Sequence, residues 1–251
     1  MRSTWLPLND TISMKHTLTT VFALLGFATA AQAHQIWLEQ PAGQRAMIRF
    51  GEFGENLREA SPGLLDKLVK PTGTLVSAQG EKMGDGTKTS DGFMLPFQAG
   101  PGESIVAEDA SYPLFTLKQG EKETTNWYRP GARLVTGFAA QAPKLAFDIV
   151  PTGTPGEFRL FLKGQALPKT KVSLVTQSGW AKEGRTDAQG VVKFDMPWQG
   201  TYVAEASHTD RTPGERGADK YDGVSYVTTL TYVKADGVAP IPAGPAATPN
   251  K

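Results

Sequence analysis

The chain has 251 residues, with 26 basic and 25 acidic side chains, 27 glycines, 18 prolines and no cysteine. A charge balance this close to zero argues against a nucleic-acid partner, because basic side chains supply most of the affinity for nucleic acid. The lack of cysteine excludes disulfides, so the fold must be stabilised by a packed core. Many glycines and prolines are typical of an all-β protein with many turns.

The N-terminal stretch has the parts of a secretory signal. A single lysine precedes the apolar run 18–30, and Ala31-Gln32-Ala33 matches the small-residue cleavage pattern. The run is shorter than the roughly 20 residues that a membrane-spanning helix needs. Asp10 does not suit the charged region of a signal, so Met14 is the predicted start. We therefore predict that residues 1–33 are a signal peptide and that the mature protein is periplasmic and soluble.

Short runs rich in β-branched and aromatic residues predict strands along the remaining chain. These runs are 46–50, 104–109, 114–118, 145–150, 158–163, 171–176, 200–208 and 224–233, with a tight turn at 187–190. A helical turn is predicted over 63–70, because Ser61-Pro62 combines a good N-cap with proline at the first helical position. The stretch 120–133 contains proline and glycine and is predicted to be an irregular loop.

Strand patterns become more regular after Ala142-Pro143, which predicts a boundary there. Residues 34–141 are predicted to form a smaller, irregular β-domain, and residues 142–235 an immunoglobulin-like β-sandwich. Residues 236–251 are rich in proline and alanine without periodicity and are predicted to be disordered. The predicted fold class is all-β.

The predicted mature chain keeps only two histidines, His34 and His208, because His16 lies in the signal. Cleavage before His34 would give this one residue an α-amine as well as an imidazole. The reference pKa is about 7.7–8.0 for an α-amine and about 6.5 for an imidazole, so both groups lose a proton readily to a metal near neutral pH. A second imidazole opposite them would complete three nitrogens in a T, called a histidine brace. This donor set suits Cu(II) and Ni(II).

His208 lies where the strand "GTYVAEASHTD" meets the polar loop 209–223. The period of two places it on one strand face, with Glu205 on the other. Asp210 can supply an oxygen ligand or orient an imidazole. The predicted ligands of one Ni, Cu or Co ion are thus His34, His208 and Asp210, and Tyr226 is an alternative that would complete the site. The simpler interpretations are a surface histidine at 208 and a turn-capping aspartate at 210.

Three stretches of the chain resemble a family of bacterial periplasmic proteins of uncharacterised function. They are "HQIWLE" (34–39), "RFGEFGE" (49–55) and the strand-turn-strand region 164–208. That family is similar to the extracytoplasmic region of the NikM-type component of nickel and cobalt uptake systems. The resemblance implies a role in transition-metal uptake or handling beside outer-membrane receptors. It also implies that His34 is a ligand, because NikM-type components hold the metal with an N-terminal amine and nearby histidines.

Three functions remain open. The first is a metal-binding protein, not an enzyme, that passes its ion to a transporter or an outer-membrane receptor. The second is a copper-dependent oxidative enzyme acting on polysaccharides, since a histidine brace also activates oxygen. The third is a metal-free binding module, which a wide separation of His34 and His208 would favour. Ile36 at the third mature position excludes the amino-terminal Cu/Ni motif that has histidine there.

Overall fold

The computed structural model describes Met1 and residues 34–250, so the predicted signal peptide beyond Met1 lies outside the described residues. Among these described residues, every regular element except one short 3-10 helix is a β-strand, which confirms the predicted all-β class. Within the described part of the chain, no helix is long and apolar enough to cross a membrane. Residues from 34 onward belong to one compact unit.

Twenty strands lie in the described part of the chain, ten before residue 142 and ten after it. The first ten are β1 (Gln35–Glu39), β2 (Met47–Glu52), β3 (Leu57–Arg58), β4 (Thr72–Ser77), β5 (Gly80–Asp85), β6 (Thr87–Lys88), β7 (Phe93–Met94), β8 (Ser104–Glu108), β9 (Phe115–Gln119) and β10 (Lys122–Val135). The second ten are β11 (Phe147–Pro151), β12 (Glu157–Leu162), β13 (Gln165–Ala166), β14 (Lys171–Thr176), β15 (Ala181–Arg185), β16 (Val191–Lys193), β17 (Gly200–Asp210), β18 (Gly214–Arg216), β19 (Asp219–Tyr221) and β20 (Gly223–Lys234).

The second half of the chain is an immunoglobulin-like sandwich, as predicted. Strands β11, β12, β13 and β16 form one sheet, and the facing sheet includes the run β15-β14-β17-β20. Without the two-residue strand β13, these are the seven strands, three against four, of an immunoglobulin-like sandwich. Alternate residues of both sheets, such as Phe147, Phe158, Leu174 and Tyr202, fill the core between them.

One large sheet continues from this sandwich into the first half of the chain. Strand β20 pairs in parallel with β10, from Asn126 opposite Gly223 to Val135 opposite Tyr232. Beyond β10 the sheet continues with β8, β4 and β5. A second sheet, containing β1, β2, β3, β6 and β7, contributes to a core that also includes residues of β8 and β10. The predicted boundary at 141/142 falls in the loop between β10 and β11, but the sheet itself crosses it.

Two local predictions, for 120–133 and 209–223, were wrong, and the helical turn over 63–70 was confirmed only in part. Residues 120–133 are not an irregular loop but most of the 14-residue strand β10. Pro130 is tolerated there because it falls between the residues paired to β9, which end at Asn126, and those paired to β8, which start at Gly131. The predicted helical turn is a 3-10 helix of only four residues, Leu64–Lys67. The predicted polar loop 209–223 contains the end of β17 and the β18–β19 hairpin.

The C-terminal segment, predicted to be disordered, has no helix or strand over residues 239–250 and is largely exposed. It is nevertheless held against the β2–β3 turn. The Asn56 side-chain amide donates to the Gly244 carbonyl at 2.8 Å, and the Ala247 N–H donates to the Asn56 carbonyl at 3.2 Å. The segment therefore returns to the part of the fold that contains His34.

Candidate metal centre

His34 immediately precedes strand β1, and the register of β1 with β2 selects its neighbour. Gln35 is opposite Gly51 in this antiparallel pair, so one step further His34 meets Glu52. The His34 Nδ1 atom lies 3.6 Å from the Glu52 Oε1 atom. The pairing of two adjacent strands therefore places a carboxylate beside the first residue of the predicted mature chain.

The turn after β2 brings a second carboxylate to the same histidine. Gly51 has a φ of 138°, and a Cβ there would lie 2.3 Å from the Leu57 carbonyl oxygen, so only glycine fits. The chain reverses through Asn56 and returns beside β2, where the Glu59 N–H donates to the Phe50 carbonyl at 2.8 Å. Glu59 is fully buried, and its Oε1 lies 2.6 Å from the His34 Nε2.

The Glu59 contact selects the tautomer of His34. Both carboxylate oxygens act as acceptors, since the Asn250 side-chain amide donates to Oε1 at 2.6 Å and the Asn250 N–H donates to Oε2 at 2.9 Å. His34 then donates from Nε2, and in the neutral imidazole the lone pair lies on Nδ1. A carboxylate that holds one ring nitrogen while the other is free is the arrangement that orients metal-binding histidines.

Aromatic contacts fix the rest of the residue. The His34 ring packs against Phe50 with centroids 5.4 Å apart. The Tyr128 hydroxyl donates to the His34 carbonyl at 2.5 Å, and burial raises the pKa of Tyr128 well above its usual value, so the hydroxyl remains a donor. Backbone and ring are therefore both held before any ligand binds.

The surroundings of His34 are acidic. Burial raises the pKa of Glu52; nearby His34 lowers it, while Glu55 and Glu59 raise it further. Partly buried carboxylates that repel one another lower their energy by binding a cation. The site thus combines one imidazole with a negative environment.

Burial raises the pKa of Glu205 to about 7, an effect opposed by the hydrogen bond from Gln35 and increased by Glu52. The Gln35 side-chain amide donates to the Glu205 Oε1. Because the folded pKa is higher than the unfolded one, the contribution of Glu205 to stability is full below about pH 4.5 and is lost as the pH rises to about 7.

Replacing Glu205 with glutamine should therefore change the pH dependence of stability. Glutamine accepts the same bond from Gln35 but carries no proton to lose. Between pH 5 and pH 8, the free energy of unfolding of wild type should fall by roughly 2 kcal/mol relative to Glu205→Gln, after allowance for partial exposure. Urea unfolding of both proteins at several pH values measures this difference, and parallel curves would contradict the raised pKa.

The structure does not bring His208 to His34. Glu205 on β17 points to the sheet face that carries β1, where it meets Gln35. His208, an odd number of residues further along the strand, points to the opposite face, and its ring lies 6.1 Å from that of Phe147. The two-imidazole site predicted from the sequence is therefore not formed, because the large sheet separates the two rings.

The other predicted ligands also lie away from His34. Asp210 accepts from the Thr212 N–H at 3.0 Å and pairs with Lys163 at 2.7 Å. These hydrogen bonds, first the one from Lys163, lower its pKa to about 2. Tyr226 is buried and packs against Phe147 with centroids 6.2 Å apart. Both residues have structural partners on the face that carries His208.

No group of three or more His, Asp or Glu side chains in the described part of the chain has the arrangement of a metal site. The donors that do converge are His34 Nδ1 and Glu52, and an α-amine at His34 would be a third. Sequence reasoning missed Glu52 and Glu59. Glu52 could have been found from the sequence, because "HQIWLE" and "RFGEFGE" are both strand patterns. Their antiparallel pairing places Glu52 opposite His34.

The sheet that contains β11 and β12 and the large sheet facing it define this chain as an immunoglobulin-like β-sandwich protein. The sheet that contains β1 and β2 is an added N-terminal layer. It belongs to the family described as domain of unknown function DUF4198, which matches residues 31–210. No curated protein matches the chain. Among solved structures, a segment of two fibronectin type-III domains from chicken tenascin is 12% identical, over 77% of this chain and 96% of that one, with a TM-score of 0.20.

Proposed function

We propose that this protein is a periplasmic transition-metal binding protein whose ion is held by the amino-terminal residue of the processed chain. The α-amine and Nδ1 of His34 close a six-membered chelate ring on the metal. Glu52 supplies an oxygen from the adjacent strand, 3.6 Å from Nδ1. Ligands bound to one ion at about 2.0–2.2 Å lie near this distance from each other, so a small side-chain movement suffices.

The observation that carries the proposal is the contact between buried Glu59 and His34 Nε2. A solvated histidine at a strand start needs no buried carboxylate. Here one is fully buried, it holds the ring by the nitrogen that the chelate does not use, and it leaves Nδ1 beside Glu52. A neighbouring carboxylate also raises the basicity of an imidazole ligand.

The donor set bears on the choice of ion. Two nitrogens and one oxygen suit Cu(II) and Ni(II), and Co(II) is the third candidate, whereas Cu(I) prefers sulfur ligands. Delivery to a metal transporter or an outer-membrane receptor is the finer part of the proposal. It rests on the resemblance to the extracytoplasmic region of NikM-type components, in which an N-terminal amine also binds the metal.

The proposal is for binding and delivery, not for catalysis. The separation of His34 from His208 favours the alternative of a metal-free binding module over a brace with two imidazoles. Metal binding by the N-terminus of the processed chain separates the proposed function from the metal-free module, because the module requires no ion. A test for oxidation of glycans separates it from the enzyme.

The test begins with protein exported by its own host. N-terminal sequencing should give His34 as the first residue, and metal analysis of the same sample should give one Cu, Ni or Co ion per chain. The stripped protein should then take up one equivalent of Cu(II) or Ni(II) in a calorimetric titration. A different first residue, or a stripped protein that binds neither ion, would remove the proposal. Oxidised ends on glycans incubated with the copper form and a reductant would replace it with the enzyme.

A further inference from the structure

The C-terminal segment ends on the carboxylate that holds His34. Asn250 gives Glu59 two hydrogen bonds, one from its side-chain amide to Oε1 and one from its N–H to Oε2. The same amide nitrogen lies 3.4 Å from the His34 Nε2. Of the three groups that contact the Glu59 carboxylate among the described residues, two therefore belong to one residue at the far end of the sequence.

These bonds matter because Glu59 is fully buried. A buried carboxylate is stable only while its oxygens accept hydrogen bonds, and in the described residues Oε2 accepts from the Asn250 N–H. If Asn250 leaves, the carboxylate is free to rotate towards water or to bind His34 in another geometry. The position of the His34 ring thus depends on whether the segment is docked.

The docking itself is local and weak. Between residues 239 and 250 the segment is almost entirely exposed, and in the described part of the chain its polar contacts are with Asn56, Glu59 and His34. The Asn250 carbonyl lies close to Gly63, where an added Cβ would come within 2.9 Å of the Asn250 oxygen. The end of the segment therefore packs against a residue without a side chain. A segment with few buried contacts detaches without unfolding the protein.

We propose that residues 244–250 form a strap that completes the His34 site, with Asn250 as a positioning residue acting through Glu59. The proposal rests on the proposed function for its ligand. A docked strap holds Nδ1 free for the ion, so strap docking and metal binding favour each other. Because such coupling is reciprocal, the ion also holds the strap in place.

The metal arm of the test uses the processed chain and Cu(II) in competition with a chelator. Asn250→Ala, which loses one of the two donors, should weaken Cu(II) binding about 10-fold, the lower end of what partners of metal ligands contribute. A chain ending at Pro240 should lose at least as much. Thr248→Ala, at an exposed position of the same segment, is the matched control and should bind as wild type does.

The second arm needs no metal. The ¹⁵N chemical shifts of the His34 ring should report mainly the Nε2–H tautomer in wild type and a mixture in Asn250→Ala and in the shortened chain. If wild type binds no Cu(II), the proposed function fails, and the tautomer alone decides whether Asn250 positions the ring. If wild type does bind, an unchanged tautomer or an unchanged affinity in the shortened chain overturns the strap.

Discussion

Replacing His34 with alanine in the processed chain should abolish measurable Cu(II) binding, and so should one extra residue in front of His34. The first change removes Nδ1, and the second converts the α-amine into an amide and breaks the chelate. We expect Kd to rise more than about 100-fold in both, since even the hydrogen-bond partners of metal ligands contribute 10- to 100-fold. Competition calorimetry measures Kd, and electron paramagnetic resonance of the Cu(II) form counts the bound nitrogens.

His208→Ala is the decisive control. It removes the other imidazole of the predicted mature chain but leaves the face with His34 and Glu52 intact, so Kd should change less than about twofold. Equal loss in His34→Ala and His208→Ala would restore the two-histidine brace and contradict the separation of the rings by the sheet. Binding that survives with an extra residue before His34 would show that the amine is not a ligand.

The sequence predicted the sandwich better than the layer in front of it. Strands β14, β17 and β20 are rich in β-branched and aromatic residues, so local pattern and tertiary structure agree. Strand β10 is marked by "YRPGAR", in which proline and glycine normally indicate a turn. It is a strand because it pairs with β20, almost 100 residues later in the chain. A local sequence pattern cannot indicate such a distant pairing.

The candidate site was half predictable for a related reason. Strand periodicity placed Glu205 and His208 on opposite faces correctly. It could not say which face β1 covers, and that choice determined whether His208 meets His34. The structure shows β1 on the Glu205 face, where the Thr229 hydroxyl donates to the Ile36 carbonyl at 2.8 Å.

The roles of Glu59 and Asn250 could not be predicted from the sequence pattern. Glu59 arrives through a reversal that depends on Gly51, and its spacing from His34 matches no ligand motif. Asn250 belongs to a segment whose composition predicts disorder. The contacts that orient a site are set by tertiary packing, whereas the residue type that binds is visible in the sequence.

Replacing Asp148 with alanine should destabilise the protein by about 3–5 kcal/mol, the cost of leaving a buried charge unpaired. Asp148 and Arg133 are both almost completely buried, and their side chains form two hydrogen bonds, at 3.0 and 2.5 Å. Asp148 also accepts from the N–H groups of Lys144 and Leu145, at 2.7 and 3.1 Å. The substitution would leave a guanidinium and two backbone donors without this acceptor.

Urea unfolding of Asp148→Ala and wild type measures the loss. Lys171→Ala is the matched control, because it breaks an ion pair with Glu183 whose two side chains are exposed, and such pairs contribute little.

Asp148 lies in β11 and Arg133 in β10, the strands that flank the predicted boundary. Since the large sheet crosses that boundary, the loss should shift a single transition of the whole chain. Two separate transitions, with only one moved by the substitution, would mean that the halves fold independently.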